Sequence, residues 1–188
     1  MFIYIGGDSF CSNRESLDHW PYLLAHLLKV ELKGKGFPGQ GWWNTRQDLL
    51  SYSKSNNFVN TEIFVICHTN INRPLMTMPN NAPEFEQTSK TYYTYMENND
   101  ISTWQASMWY RELNDLLHGK HVIHIPCFRN GQHLQCLLNG IQVTPALINF
   151  SQTDNDCANH FSIEQNRCLA EQLYQGMFEK QNPIKINF

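Results

Sequence analysis

The apolar run Met1-Phe2-Ile3-Tyr4-Ile5 stops at Gly6-Gly7-Asp8-Ser9, and that stop limits the possible folds more than any other feature of the chain. A continuous apolar run rich in branched and aromatic residues, with no alternation of polar positions, suits a strand covered on both faces. Such strands belong to parallel sheets under helices. Two glycines then allow a tight turn. The strand therefore delivers Ser9 to its C-terminal end, the edge at which open parallel sheets bind ligands. Taken alone, Gly-Asp-Ser is also an ordinary polar turn, because all three residue types favour turns.

The same pattern recurs along the chain. Glu62 to Cys67 and His121 to Cys127 are further apolar strands, Val30 to Lys35 is a short polar one, and Val143 to Phe150 is the fifth. Helical spacing separates them, in Arg14 to Lys29, around Leu49, Leu50 and Tyr52, in Thr103 to His118 ahead of Gly119, and in Ile163 to about Phe178. Pro21 requires the first of these helices to begin near Trp20, since proline is tolerated only in a first turn. Strands alternating with helices predict a single α/β domain over 1–188, with a central, mostly parallel five-stranded sheet. Pro74 to Ser102, rich in proline, asparagine and tyrosine, reads as an insertion or lid loop over residues 74–102 at the ligand-binding edge. Its tyrosines Tyr92, Tyr93 and Tyr95 either stack on a ligand or pin the loop to the body.

At 188 residues and 41% apolar content the chain can bury one sizeable core. A formal charge of −3 without a Lys/Arg run argues against nucleic acid and anionic membrane as partners. No apolar segment approaches the roughly 20 residues that span a bilayer, and no basic stretch precedes the opening run as in a secretory leader. A cytoplasmic location with no membrane partner is expected. The cysteines Cys11, Cys67, Cys127, Cys136, Cys157 and Cys168 include no Cys-x-x-Cys pair, which predicts free thiols in a reducing compartment. His118, His121, His124 and Cys127 recur every third residue, but strand side chains alternate faces and split such a set, so no metal and no cofactor are expected.

Gly7-Asp8-Ser9-Phe10 resembles the Gly-Asp-Ser-Leu block of the SGNH (GDSL) hydrolases, and three further blocks follow in that family's order. Gly39, in the loop Gly36 to Asn44 with its paired Trp42 and Trp43, matches the oxyanion glycine; Gly41 is the alternative. Asn70, shortly after the Glu62 to Cys67 strand, matches the oxyanion asparagine, with Asn72 as fallback. The family's Gly-x-Asn-Asp stands here as His68-Thr69-Asn70-Ile71, lacking both glycine and aspartate. His160, just before the last helix, matches the general base. The aspartate usually three residues ahead of that histidine is replaced by Cys157, which leaves Asp156 as first choice and Asp154 as second for the acid partner.

The resemblance implies a flavodoxin-like three-layer sandwich and a serine esterase or acyl hydrolase. Ser9 is then the nucleophile, His160 the base and Asp156 its orienting acid. The Ser9 N–H, the Gly39 N–H and the Asn70 amide form the oxyanion hole. The substrate is a small-molecule or glycan ester, an acetylated carbohydrate among the candidates, and the oligomeric state is left open. From another class comes a catalytically silent glycan-binding module on the same fold, gripping its ligand with Trp42, Trp43 and the tyrosines of the insertion.

Overall fold

The computed structural model describes residues 1–12, 17–38, 41–71, 99–129, 132–150 and 161–188. Six strands form one sheet: β1 (Phe2–Gly7), β2 (Glu31–Lys33), β3 (Thr61–His68), β4 (His121–Pro126), β5 (Ile141–Thr144) and β6 (Ile184–Lys185). Their spatial order is β2-β1-β3-β4-β5-β6, and every neighbouring pair is parallel. Among the described residues the α-helices are α1 (Trp20–Leu28), α2 (Trp42–Ser53), the short α3 (Asn56–Val59), α4 (Asn99–Leu116) and α5 (Ile163–Phe178). This is the expected three-layer α/β fold, with six strands instead of five.

The period-2 alternation of each strand sorts its side chains between two cores. Ile3, Ile5, Val65, Ile123, Ile125 and Val143 face α1 and α5, where Trp20, Leu24, Leu169 and Leu173 complete one cluster. Tyr4, Phe64, Ile66 and Val122 face the other way, toward Leu49 of α2 and Trp109, Tyr110 and Leu113 of α4. Burying each such branched or aromatic side chain contributes roughly 1.5–3 kcal/mol. This doubly covered sheet is what the unbroken apolar runs require.

One expected strand boundary moves, and a sixth strand is added. The fifth strand ends at Thr144 where Val143 to Phe150 was expected, because Pro145 supplies no ladder N–H and Leu147–Phe150 winds into a 3-10 turn. That turn still buries Leu147, so its apolar residues serve the core without extending the sheet. The sixth strand comes from the chain's last residues. Ile184 pairs with Val143 and Lys185 with Thr144, and Ile184 is fully buried. The first helix starts at Trp20 with Pro21 in its first turn, as the proline demands.

Candidate active site

The sheet order reverses between β1 and β3, the two strands that flank a topological switch point. A crevice forms off the C-terminal edge at such a point because the connections leave in opposite directions. Gly7 lies opposite Cys67 in the β1–β3 register, so Ser9 leaves β1 and Asn70 leaves β3 side by side at that crevice.

The nucleophile turn is assembled by close backbone approach. Gly7 has φ +137, and a Cβ there would lie 2.0 Å from the Cys67 carbonyl oxygen. Asp8 N–H donates to that same oxygen at 3.1 Å, while Phe37 N–H donates to the Gly7 carbonyl at 2.8 Å. Gly36, bridged to Gly7, would bring a Cβ within 2.4 Å of Ser12 N. The loop leading toward Gly39 is thus pressed directly on the Gly7-Asp8 backbone. Residues 9–11 form a single 3-10 turn. Within it Ser9 Oγ donates to Asp8 Oδ1 at 2.7 Å, and Asp8 itself is buried.

Phe10, the next residue, ties this turn to the far end of the chain. Its carbonyl accepts from Trp20 Nε1 at 2.6 Å, fixing the start of α1. Its ring packs on Phe128 after β4 (centroids 5.9 Å) and on Phe161 before α5 (5.3 Å). Phe188 contacts both Phe150 (4.6 Å) and Phe161 (5.5 Å), and Gln165 Nε2 donates to the Phe150 carbonyl at 3.1 Å. Phe161, which follows residues 151–160, thus packs directly on Phe10, and Phe150, which precedes them, is joined to it through Phe188 and Phe161. Buried Asn166 secures the same corner, accepting from Trp20 N–H at 3.1 Å and donating to the carbonyls of Phe161 (3.2 Å) and Ser162 (3.0 Å).

Of the residues singled out from sequence, Ser9 and Asn70 lie at the C-terminal edge. Gly39, Asn72, Asp154, Asp156 and His160 fall outside the described residues. The alternative Gly41 is buried as the N-cap of α2. Asn70 is half-buried between Thr69 and Ile71, both of which are buried. Trp42 stacks on Trp109 at 6.2 Å and 14°, and Arg46 makes two 2.6 Å hydrogen bonds to Glu112. Together these contacts clamp α2 to α4.

Three thiols, Cys11, Cys67 and Cys127, are buried beneath the edge, and no disulfide joins any of the five described cysteines. Burial pushes Cys11 and Cys67 well above the ordinary thiol range, which makes them packing groups and not nucleophiles. Of the evenly spaced histidines, His118 and His121 are exposed whereas His124 is buried. Among the described residues no group of three or more His, Cys, Asp or Glu is arranged to hold a metal ion, and no helix is long and apolar enough to cross a membrane.

Sequence reading missed Phe10, Phe161 and Asn166 as organisers of the corner, and it passed over a pairing between His68 and His124. Parity carried the signal for the histidines. His68 shares a face with Phe64 and Ile66, and His124 shares it with Val122, on adjacent strands.

No family model matches the chain, and no curated protein matches it. Solved structures do. A protein from Desulfitobacterium hafniense DCB-2, described as lipolytic and of the G-D-S-L family, superposes with a TM-score of 0.51 at 12% identity, over 93% of this chain and 98% of that one. A carbohydrate esterase family 2 enzyme with a carbohydrate-binding domain, from Corynascus thermopiles (Myceliophthora fergusii), gives 0.54 at 11% identity, over 95% of this chain. The present chain spans 65% of that protein's length. At these identities the likeness is one of fold, and the fold is that of the SGNH-type hydrolases.

Proposed function

We propose, from the premise of an SGNH-type fold, that the protein is a serine esterase acting on a small-molecule or glycan ester, an acetylated carbohydrate among the candidates. Ser9 Oγ attacks the ester carbonyl and forms an acyl-enzyme. His160 takes the serine proton and returns it to the leaving alcohol, and a water then releases the acid by the same path. Asp156 orients His160, with Asp154 as the alternative. The oxyanion is held by Ser9 N–H, Gly39 N–H and the Asn70 amide, each donor contributing roughly 3–4 kcal/mol.

The observation that carries this reading is that Phe161, which follows residues 151–160, packs on Phe10, the residue next to Ser9, with Phe150 joined to it through Phe188. It supports a histidine delivered from that segment to the serine. The Ser9 hydroxyl, which donates to Asp8 Oδ1, must turn its proton to His160 for attack. Loss of the Asp8 partner on that turn leaves the buried carboxylate to be satisfied by other donors.

Hydrolysis of p-nitrophenyl acetate by wild type and Ser9→Ala tests the reading. Nearly all turnover is expected to vanish in the variant, by as much as about 10⁶-fold. Equal activity in the two proteins contradicts a Ser9 nucleophile, and glycan binding with no hydrolysis by either favours the silent binding module. Asp156→Asn is expected to lower kcat by up to about 10⁴-fold, because the wrong imidazole tautomer is then favoured. Asp154→Asn is expected to be nearly silent. The reverse pattern exchanges the two aspartates.

A further inference from the structure

His68 Nε2 lies 3.0 Å from His124 Nδ1, and His124 Nε2 lies 2.9 Å from the Asn139 carbonyl oxygen. We propose that this chain of hydrogen bonds makes His68 a positioning residue for the oxyanion site, holding the end of β3 from which Thr69 and Asn70 depart. The proposal rests on the reading of Asn70 as an oxyanion donor.

The protonation pattern follows from the end of the chain. A carbonyl only accepts, so His124 Nε2 carries a proton; a neutral His124 then presents Nδ1 as an acceptor, and His68 Nε2 must donate to it. Both rings are buried, and burial holds His124 down to about 4 and His68 well below the ordinary histidine value, so both are neutral near pH 7. Because the chain stops at a backbone carbonyl it leads no proton onward, and its effect is geometric. Two apolar side chains would fill this space without the cost of desolvating two imidazoles. What the pair adds is a fixed orientation of the His68 ring, which Tyr110 of α4 completes by edge contact at 4.9 Å.

The consequence passes along the backbone to Asn70. The His68 carbonyl accepts from Cys127 N–H at 3.0 Å, so side chain and backbone of this residue are both tied to β4. Thr69 and Ile71 are buried on either side of the half-buried Asn70. A family member with glycine at this place has no side chain with which to make the tie; this chain has a histidine whose ring is held from two segments, by His124 of β4 and Tyr110 of α4.

Three measurements test the proposal. Nitrogen NMR of the wild-type rings at pH 7 is expected to show protonated Nε2 and bare Nδ1 on both His68 and His124; a proton on either Nδ1 overturns the chain as drawn. In His68→Phe, which keeps the ring contact with Tyr110 but removes the donor, kcat for p-nitrophenyl acetate is expected to fall about 10- to 100-fold, as for a small misplacement of a catalytic group, with KM little changed. His68→Gln, whose amide can donate to His124, is expected to recover part of that loss. Combining His68→Phe with Asn70→Ala is expected to cost no more than Asn70→Ala alone; a multiplied loss, or an unchanged kcat in His68→Phe, overturns the proposal. The third readout needs no activity: the Asn70 side-chain amide resonances are expected to broaden or shift in folded His68→Phe, and unchanged resonances overturn the proposal. Absence of hydrolysis by wild type would reject the esterase reading, and the Asn70 resonances would still decide the positioning role.

Discussion

Gly7 carries the tightest demand on any single residue of the nucleophile turn. Its φ of +137 is open to glycine and closed in practice to other residues, and the Cys67 carbonyl occupies the space a methyl group would need. Gly7→Ala is expected to destabilise the fold by at least about 1–3 kcal/mol from backbone strain alone, with displacement of β1 from β3 adding to it. A urea unfolding midpoint equal to that of wild type would contradict this. The glycine is spent on closeness to β3, and Ser9 is placed by that closeness. Asp8, Ser9 and Phe10 then divide the turn's work: a buried carboxylate accepts the serine hydroxyl, and an aromatic ring anchors the turn to Phe128 and Phe161.

At the scale of elements, the site depends on how α1 and α5 meet behind it. Asn166 in the first turn of α5 bonds to the first residue of α1 and to the carbonyls of Phe161 and Ser162, which follow residues 151–160. Asn166→Leu removes these bonds and leaves buried partners unpaired, at an expected cost of about 1–3 kcal/mol. If the loop carries His160 as proposed, kcat also falls while KM for a small ester stays close to wild type; kinetics on the purified variant check both. Ser162 heads α5 with a complete capping box, its side chain accepting from Gln165 N–H while Gln165 returns a bond to Ser162 N–H. Replacing it by alanine is expected to lower stability by about 1 kcal/mol, read from chemical denaturation. The 74–102 stretch, whose residues 99–102 the structure places in the first turn of α4 and not in a loop, is proposed to govern substrate choice, since it holds none of the four sequence blocks but follows β3 in the chain. Shortening it is expected to change the preference among acyl and glycan esters while p-nitrophenyl acetate is still cleaved. Loss of all hydrolysis in a folded variant would contradict that role.

For the whole molecule, the buried histidines link stability to pH. His124 faces His68 of β3, and it borders a cavity of about 110 Å³ that His118 and Lys120 also line. Its pKa falls from 6.5 to about 4 through burial, which outweighs the bond to the Asn139 carbonyl. Protons therefore bind the unfolded chain more readily than the folded one between those two values. Stability is complete above about pH 6.5 and is lost as the pH falls to about 4, by about 3 kcal/mol for this group at about 1.4 kcal/mol per pH unit. Unfolding free energies measured across that window are expected to fall less steeply in His124→Leu than in wild type. Identical slopes would show that His124 is not the group responsible.

Much of this molecule was legible in the linear order of residues. Unbroken apolar runs at Phe2 to Ile5 and Ile63 to Cys67, and a run from Val122 to Ile125 interrupted only by His124, suit strands covered on both faces, being short, rich in branched and aromatic residues and bounded by turn signals. Helical spacing between them then makes the sheet parallel and sends Ser9 and Asn70 to one edge. Pro21 marked the start of α1 by chemistry that is wholly local. What only the tertiary structure decided are the features whose partners lie far away in the chain. Ile184 and Lys185 are too short a segment to announce a strand, and they become one only because β5 offers an open row of backbone groups. Leu147 to Phe150 has the composition of a strand, yet Pro145 interrupts the ladder and the segment buries Leu147 in a turn instead. His68 and His124, separated by 56 positions, acquire their meaning at a distance of 3.0 Å, because a hydrogen bond depends on geometry that no local pattern of residues encodes.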